Sequence, residues 1–259
     1  MKIKKSFNML IISGLVLLIT SSCRKKENNI VIEPINFNPS ISYGNLTDQD
    51  GNTYKTVTLG TQTWMAENLR TTKYRNGDAI TFISDNAEWI NLTSGAFCYF
   101  NNQNIYKNTF GCLYNAYAVT DSRNIAPLGW HVPTTDDWDT LLAYLGGSKL
   151  ASVKLKESGT IHWKPPINHQ AGVDLMINEA IGTNETGFTA LPGGQRDRDG
   201  NYLNDGLYAY WWTVTEFPGT NGWYIGNNIY IAIPNNWPDM TSDYNLQKQI
   251  GISVRCLKD

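Results

Sequence analysis

The sequence predicts an α+β domain of mostly antiparallel strands with long irregular loops and one clear amphipathic helix at about residues 135–145. Three observations carry this prediction. Trp138, Leu141, Leu142 and Leu145 recur at the helical period and place one apolar stripe on one face. Lys55, Val57 and Leu59 alternate with Tyr54, Thr56 and Thr58, which is the period of a strand. Near the C-terminus, Ile250, Ile252, Val254 and Cys256 share one face of a second strand-like run, which points Cys256 into the core.

In chain order, Lys2, Lys4 and Lys5 precede an apolar run from Met9 to Ile19, then Thr20, Ser21, Ser22 and Cys23. This is the order of an export signal. The run is shorter than the roughly 20 residues a membrane-spanning helix needs. Small residues before a cysteine are what a lipoprotein signal peptidase requires, although Thr20 stands where the strictest form of that box has an apolar residue. Residues 1–22 are therefore expected to be removed and Cys23 to carry the lipid, anchoring the chain to the outer membrane. From there to residue 47 the chain is polar, with Pro34 and Pro39, and reads as a flexible tether. Residues 48–259 form the expected domain.

The domain opens with a hairpin turn at Asp50-Gly51-Asn52, followed by the strand through Leu59 and a second from Gln62 to Met65. Gly95 to Phe100 and Cys112 to Val119 are rich in Tyr, Phe and Val and read as strand or buried turn. In the helix, Thr134 is the N-cap, Asp136 and Asp137 suit the positive N-terminus, and Gly146 stops it. The acidic cluster is read as capping ahead of a metal or catalytic site. The C-terminal half is β-like: Phe188 to Leu191, a turn at Asp199-Gly200-Asn201, Tyr210 to Val214, Gly222 to Ile233, and the final run.

A net charge of −2 and 17% charged residues give no basic stripe, which argues against a nucleic-acid partner. Aromatic residues make up 12% of the chain, with nine Trp, and suit either a ring-filled β core or sugar-stacking surfaces; the core is the favoured reading. Cys98, Cys112 and Cys256 remain after export into a compartment that permits disulfides, so one pair and one leftover thiol are expected.

The blocks Thr61 to Leu69, Leu113 to Val119, Gly129 to Thr134, Gly187-Phe188 to Gly193-Gly194, Trp211 to Glu216, and Ser253 to Asp259, in that order, resemble the Fibrobacter succinogenes major paralogous domain. The resemblance spans roughly Asp48 to Asp259. It implies an exported bacterial domain, common as lipoproteins in Bacteroidetes-type bacteria, with no established chemistry. The helix start after Gly129-Trp130-His131 and the later Trp-Trp-Thr strand are also similar to the C-type lectin-like superfamily, including formylglycine-generating-type domains. That likeness implies that the strand through Tyr54–Leu59 pairs near the final run, in one sheet with it. Members often carry a Cys before the Gly-Trp-His block, where Ala126-Pro127-Leu128 stands here. Pairing therefore stays open among Cys98–Cys112, Cys98–Cys256 and Cys112–Cys256.

Lectin-like folds use calcium, and Asp48 to Asn52 and Asp197 to Asn201 repeat an Asp-x-Asp-Gly-Asn pattern. The glycine sits fourth, not sixth as in an EF-type loop, so hairpin turns are the stronger reading and no metal or other cofactor is expected. Ile233-Pro234-Asn235 lacks the acidic partner of a calcium–sugar triplet. His131, His162 and His169 have no metalloprotease spacing, and His131 is read as bonding a turn. Glu67, Glu216 and Asp239 are available carboxylates for a glycosidase, and a formylglycine-type enzyme would need a late cysteine pair where only Cys256 is late. The expectation is a non-catalytic binding or adhesion lipoprotein with a glycan or envelope protein as ligand. A carbohydrate-active or formylglycine-generating-like enzyme and a structural envelope component are the alternatives. The contact surface is expected on the Phe217–Gln249 segment, with Trp223, Tyr224, Asn236 and Trp237 as candidate binding residues.

Overall fold

The computed structural model describes residues 31–164, 181–217, 227–234 and 240–259. In chain order the elements are β1 (Gly44–Thr47), β2 (Thr53–Leu59), β3 (Gln62–Met65), β4 (Thr81–Phe82), α1 (Asn86–Ile90), β5 (Ala96–Cys98), α2 (Lys107–Phe110), β6 (Leu113–Tyr114), α3 (Ala116–Val119), β7 (Trp130–His131), α4 (Thr135–Leu145), α5 (Ser148–Leu155), β8 (Gln195–Arg196), β9 (Tyr202–Leu203), β10 (Tyr208–Phe217), β11 (Asn227–Pro234), β12 (Thr241–Leu246) and β13 (Leu257–Lys258). The architecture is α+β. Pairing is antiparallel throughout the main sheet, ordered β1-β2-β3-β13-β7, and in the sheets β10-β11-β12 and β8-β9, with β4 parallel to β5. The first and last strands thus share one sheet, with β3 between β2 and β13.

The Asp-x-Asp-Gly-Asn pattern makes the same turn twice. Asp48 N–H donates to Asn52 O at 3.0 Å, while the Asp48 carboxylate accepts from the backbone of Asp50 and Asn52 at 2.9 Å each. Asp197 repeats this with Asn201, at 2.8 Å for both the backbone and the carboxylate bond, and joins β8 to β9. Gly51 and Gly200 take φ of 83° and 89°, a left-handed conformation that glycine adopts without penalty. These aspartates cap hairpins.

The helix α4 follows its sequence closely. Thr134 and Asp137 form a reciprocal capping box, and Gly146 closes the helix in a left-handed conformation. Its stripe of Trp138, Leu141 and Leu145 packs on Val57, Leu59 and Trp64 of the main sheet and on Phe188 and Trp211, forming one core. Trp138 lies 4.7 Å from Trp64 and 5.7 Å from Trp211 between ring centroids. A second core holds Tyr54, Met65, Tyr114, Trp130, Trp212 and Ile252, and a smaller third holds Trp89, Cys98, Phe100 and Leu113. β10 separates the first two, because strand alternation sends Ala209 and Trp211 to one and Tyr210 and Trp212 to the other. The described tryptophans are core residues: Trp64, Trp89, Trp130, Trp138, Trp163, Trp211 and Trp212 are all buried.

Four sequence expectations change. The tether, expected through residue 47, ends earlier: Gly44–Thr47 is β1, and Phe37, Ile41 and Tyr43 pack on the α4 core as a strap. These side chains supply the apolar contact that a flexible spacer lacks. The segment Phe188–Leu191 is not a strand. It makes one bridge, Lys156 to Ala190, because Thr189 takes φ 55° and breaks the extended run. The final run is extended, but it bridges several sheets in turn before joining the main one only at β13. Lastly, the Phe217–Gln249 segment, expected as a contact loop, contributes β11 and β12.

Four of the six blocks meet at the guanidinium of Arg255, which is fully buried. Its Nε donates to Asn68 Oδ1 at 2.8 Å, its Nη1 to Phe188 O, and its Nη2 to Thr189 O at 2.8 Å. The Phe188 and Trp211 rings flank it, with centroids 4.3 and 5.4 Å away. Burial among neutral groups disfavours the cation and lowers its pKa to about 9. Asn68 also accepts from Trp211 Nε1 at 2.9 Å and donates to Phe110 O at 2.8 Å and Ser253 Oγ at 3.2 Å. Asn68→Ala would leave several of these groups buried without partners. It should lower unfolding stability by about 3 to 5 kcal/mol in urea titration, whereas Thr58→Ala on the exposed side of β2 should cost about 0.5 kcal/mol or less.

Candidate functional site

The residues named from sequence divide sharply. Cys23, Trp223, Tyr224, Asn236, Trp237, Asp239 and His169 lie outside the described residues. Glu67 has a structural role, accepting from Arg70 Nη1 at 3.1 Å and from the Lys55 backbone N–H. Glu216 is part of β10. His131 bonds Asp259 Oδ1 through Nδ1 at 2.7 Å and approaches Asp137 Oδ2 through Nε2 at 3.4 Å, tying β7 and the last residue to the start of α4. Among the described residues no cluster of three metal-ligating side chains occurs, and no helix is long and apolar enough to cross a membrane.

A groove of about 860 Å³ lies where sequence reasoning pointed to no site. Its position follows from strand lengths. β1 covers β2 only as far as the Gly44–Thr56 pair, so Val57 to Leu59 are left as an open edge. The strap at Ile41 and Ser42, the ends of α4 and α5, and Glu185-Thr186 rise around that edge. Thr58 and Thr63 face each other across β2 and β3, with their hydroxyls 3.0 Å apart. On the far side Lys154 Nζ pairs with Glu185 at 3.2 Å, and Lys258 adds a second amine.

Tyr144 supplies the aromatic surface and is 61% exposed. Its ring lies against the β2–β3 turn at Gly60, where a Cβ would come within 2.9 Å of the ring carbons. Gly60 also takes φ 61°, so glycine both makes the turn and leaves room for the ring. Tyr144 falls outside the buried stripe of α4, and a large exposed ring on a helix of otherwise regular pattern is the one sequence signal that marks this site. The groove combines a ring face, hydroxyls, an amide at Asn45 and charges of both signs. Such a lining suits a neutral polar ligand with one apolar face.

The cysteines show no such site. The register pairs Cys98 with Leu113, and Cys112, one residue before β6, faces the other way, so the two lie in the third and the Trp212 cores respectively. Cys256 lies in the Trp212 core, its backbone N–H directed at Met65 Sδ at 3.3 Å. In place of the expected pair, the structure holds all three as buried free thiols. Burial pushes Cys98 up to about 11 and Cys112 up to about 12, and raises Cys256 further. Ellman's reagent at neutral pH should therefore label the native domain at least about tenfold more slowly than the same domain in denaturant; equal rates would contradict the buried arrangement.

No curated protein and no solved structure matches the chain. A model of the Fibrobacter succinogenes major domain matches residues 57–258, which takes in most of the three cores, the Arg255 node and most of the groove, while the strap precedes it. With more than half its length matched, the chain belongs to the Fibrobacter succinogenes major domain family.

Proposed function

We propose that this chain is an exported, outer-membrane-anchored lipoprotein whose domain is a non-catalytic binding module, and that its groove receives a saccharide. The observation that carries this reading is the exposed Tyr144 ring beside the Thr58–Thr63 hydroxyl pair and the Lys154–Glu185 ion pair. A sugar offers an apolar C–H face for the ring and hydroxyls that both donate and accept, which matches that lining. The scaffold reading is a C-type lectin-like one. It is supported by the first and last strands sharing a sheet, and by α4 packing beneath Trp211. Export and lipidation rest on the basic, apolar and small-residue order of residues 1–22 and on Cys23.

Two experiments test the parts separately. With radiolabelled palmitate fed to expressing cells, wild-type protein should carry label and partition with membranes; Cys23→Ser should carry none, and an unlabelled wild type would refute the anchor. On a glycan array followed by calorimetry with the hits, Tyr144→Ala should weaken binding roughly tenfold while the melting temperature holds, since losing a stacking contact is worth about 1.4 kcal/mol. Hits unaffected by Tyr144→Ala would move the site elsewhere, and an array without hits would retire the saccharide.

A further inference from the structure

The strap that walls the groove is fastened to the body by a buried ion pair. The side chains of His162 and Glu157 are 5% and 0% exposed. His162 Nδ1 lies 2.7 Å from Glu157 Oε2, and Nε2 lies 3.1 Å from the backbone carbonyl of Glu33 in the strap. Both ring nitrogens therefore face acceptors. A neutral imidazole has a single N–H, so only the protonated ring satisfies both contacts. The other oxygen of Glu157 accepts from Asn36 N–H at 2.7 Å, so one carboxylate joins the histidine to the strap backbone. Asn36 also donates to Ser158 O and Ser158 Oγ at 3.3 Å, and its carbonyl accepts from Asn184 Nδ2 at 3.4 Å.

We propose that residues 32–43 form a pH-sensitive strap, clasped to the body while His162 is protonated and freed at its upstream end when it is not. Around the imidazole, the Phe110 ring packs edge-on at 5.5 Å, and the charged groups that face it among the described residues are Glu157 and Glu33. Lys156 is turned over the Trp163 ring at 5.1 Å, and Lys164 reaches Asp205 at 3.1 Å. Burial disfavours the charged ring, but the Glu157 bond and charge and the Glu33 carbonyl outweigh it, so His162 titrates above its ordinary 6.5. For a raised pKa the stabilisation is complete below 6.5 and is lost as pH rises through the raised value.

Deprotonation turns one ring nitrogen into an acceptor facing an acceptor, which releases the Glu33 contact first. Residues 32–36 then keep the Asn36 bonds to Glu157, Ser158 and Asn184, which open more readily without the Glu33 anchor, while Phe37 and Tyr43 keep their packing, with Lys55 Nζ 5.0 Å from each ring. Release loosens the start of the strap ahead of Phe37. The effect on groove occupancy, through Ile41 and Ser42, rests on the binding reading above; the clasp itself does not.

Hydrogen exchange of the full chain, without added glycan, tests the clasp. After correction for intrinsic exchange, protection of the Asn36 amide should fall roughly tenfold between about pH 5.5 and about pH 8.5, in step with the His162 ring titration seen by NMR, while the β2 amide of Tyr54 stays level. His162→Gln, neutral at every pH, should remove the step. Asn36 protection that tracks Tyr54 in the wild type, a His162 ring that titrates below 6.5, or a step that survives His162→Gln would overturn the proposal. A negative glycan array leaves each of these readings intact.

Discussion

The buried guanidinium of Arg255 is the constraint on which the rest of this fold depends. A cation taken out of water needs an acceptor for its donors, and here the acceptors are neutral: the Asn68 amide and two backbone carbonyls, between two aromatic faces. Those carbonyls are aimed by Thr189, whose φ of 55° is unusual for a β-branched residue. Asn184 holds that strained backbone, accepting from Thr189 N at 2.9 Å and from Thr189 Oγ1 at 3.2 Å. One charged side chain thus requires an irregular segment, a buried amide and two aromatic residues from distant parts of the chain to meet.

Arg196 repeats the device at smaller scale. It is fully buried over Trp89 and Tyr202 and donates to Ile83 O, Ser84 O, Gly200 O and Asn86 Oδ1. Its backbone pairs with Gly251, two residues before Ser253 bridges Trp211 and four before Arg255. The final run is therefore a thread fixed by arginines at both ends. Its alternate residues fill the Trp212 core, while Ser253 and Arg255 face the Asn68 node. A chain this rich in loops holds a defined shape because such nodes specify which loop meets which, beyond what apolar burial alone requires.

What the sequence made legible follows the range of the forces involved. The capping box, the Gly146 stop, the two Asp-Gly turns and the inward face of Ile250 to Cys256 depend on neighbours within a few residues, and each appears where its local chemistry put it. α5 leaves no start signal in the sequence because its N-cap is Gly147, which has no capping side chain, directly behind another helix. The strap reads as tether in the sequence because its apolar residues, Phe37, Ile41 and Tyr43, are spaced without a period, and their partners lie far along the chain. The groove had no motif for the same reason: it is a product of strand lengths, of the distance β1 runs along β2, and not of any consecutive residues.

That origin bears on how the family span relates to the groove. The matched residues 57–258 contain both arginine nodes and most of the cores, so most of the parts that demand particular residues lie inside the family span. The strap and β1 precede it, and they decide both the near wall of the groove and how much of the β2 edge is covered. A longer β1 would close the edge at Thr58, and a different strap would change the wall, neither touching Asn68 or Arg255. Demanding chemistry is concentrated in the interior, and the near wall of the groove is set by a strap held on by packing against the α4 core and one buried histidine–carboxylate pair. Such a division lets the approach to the site vary while the fold stays fixed.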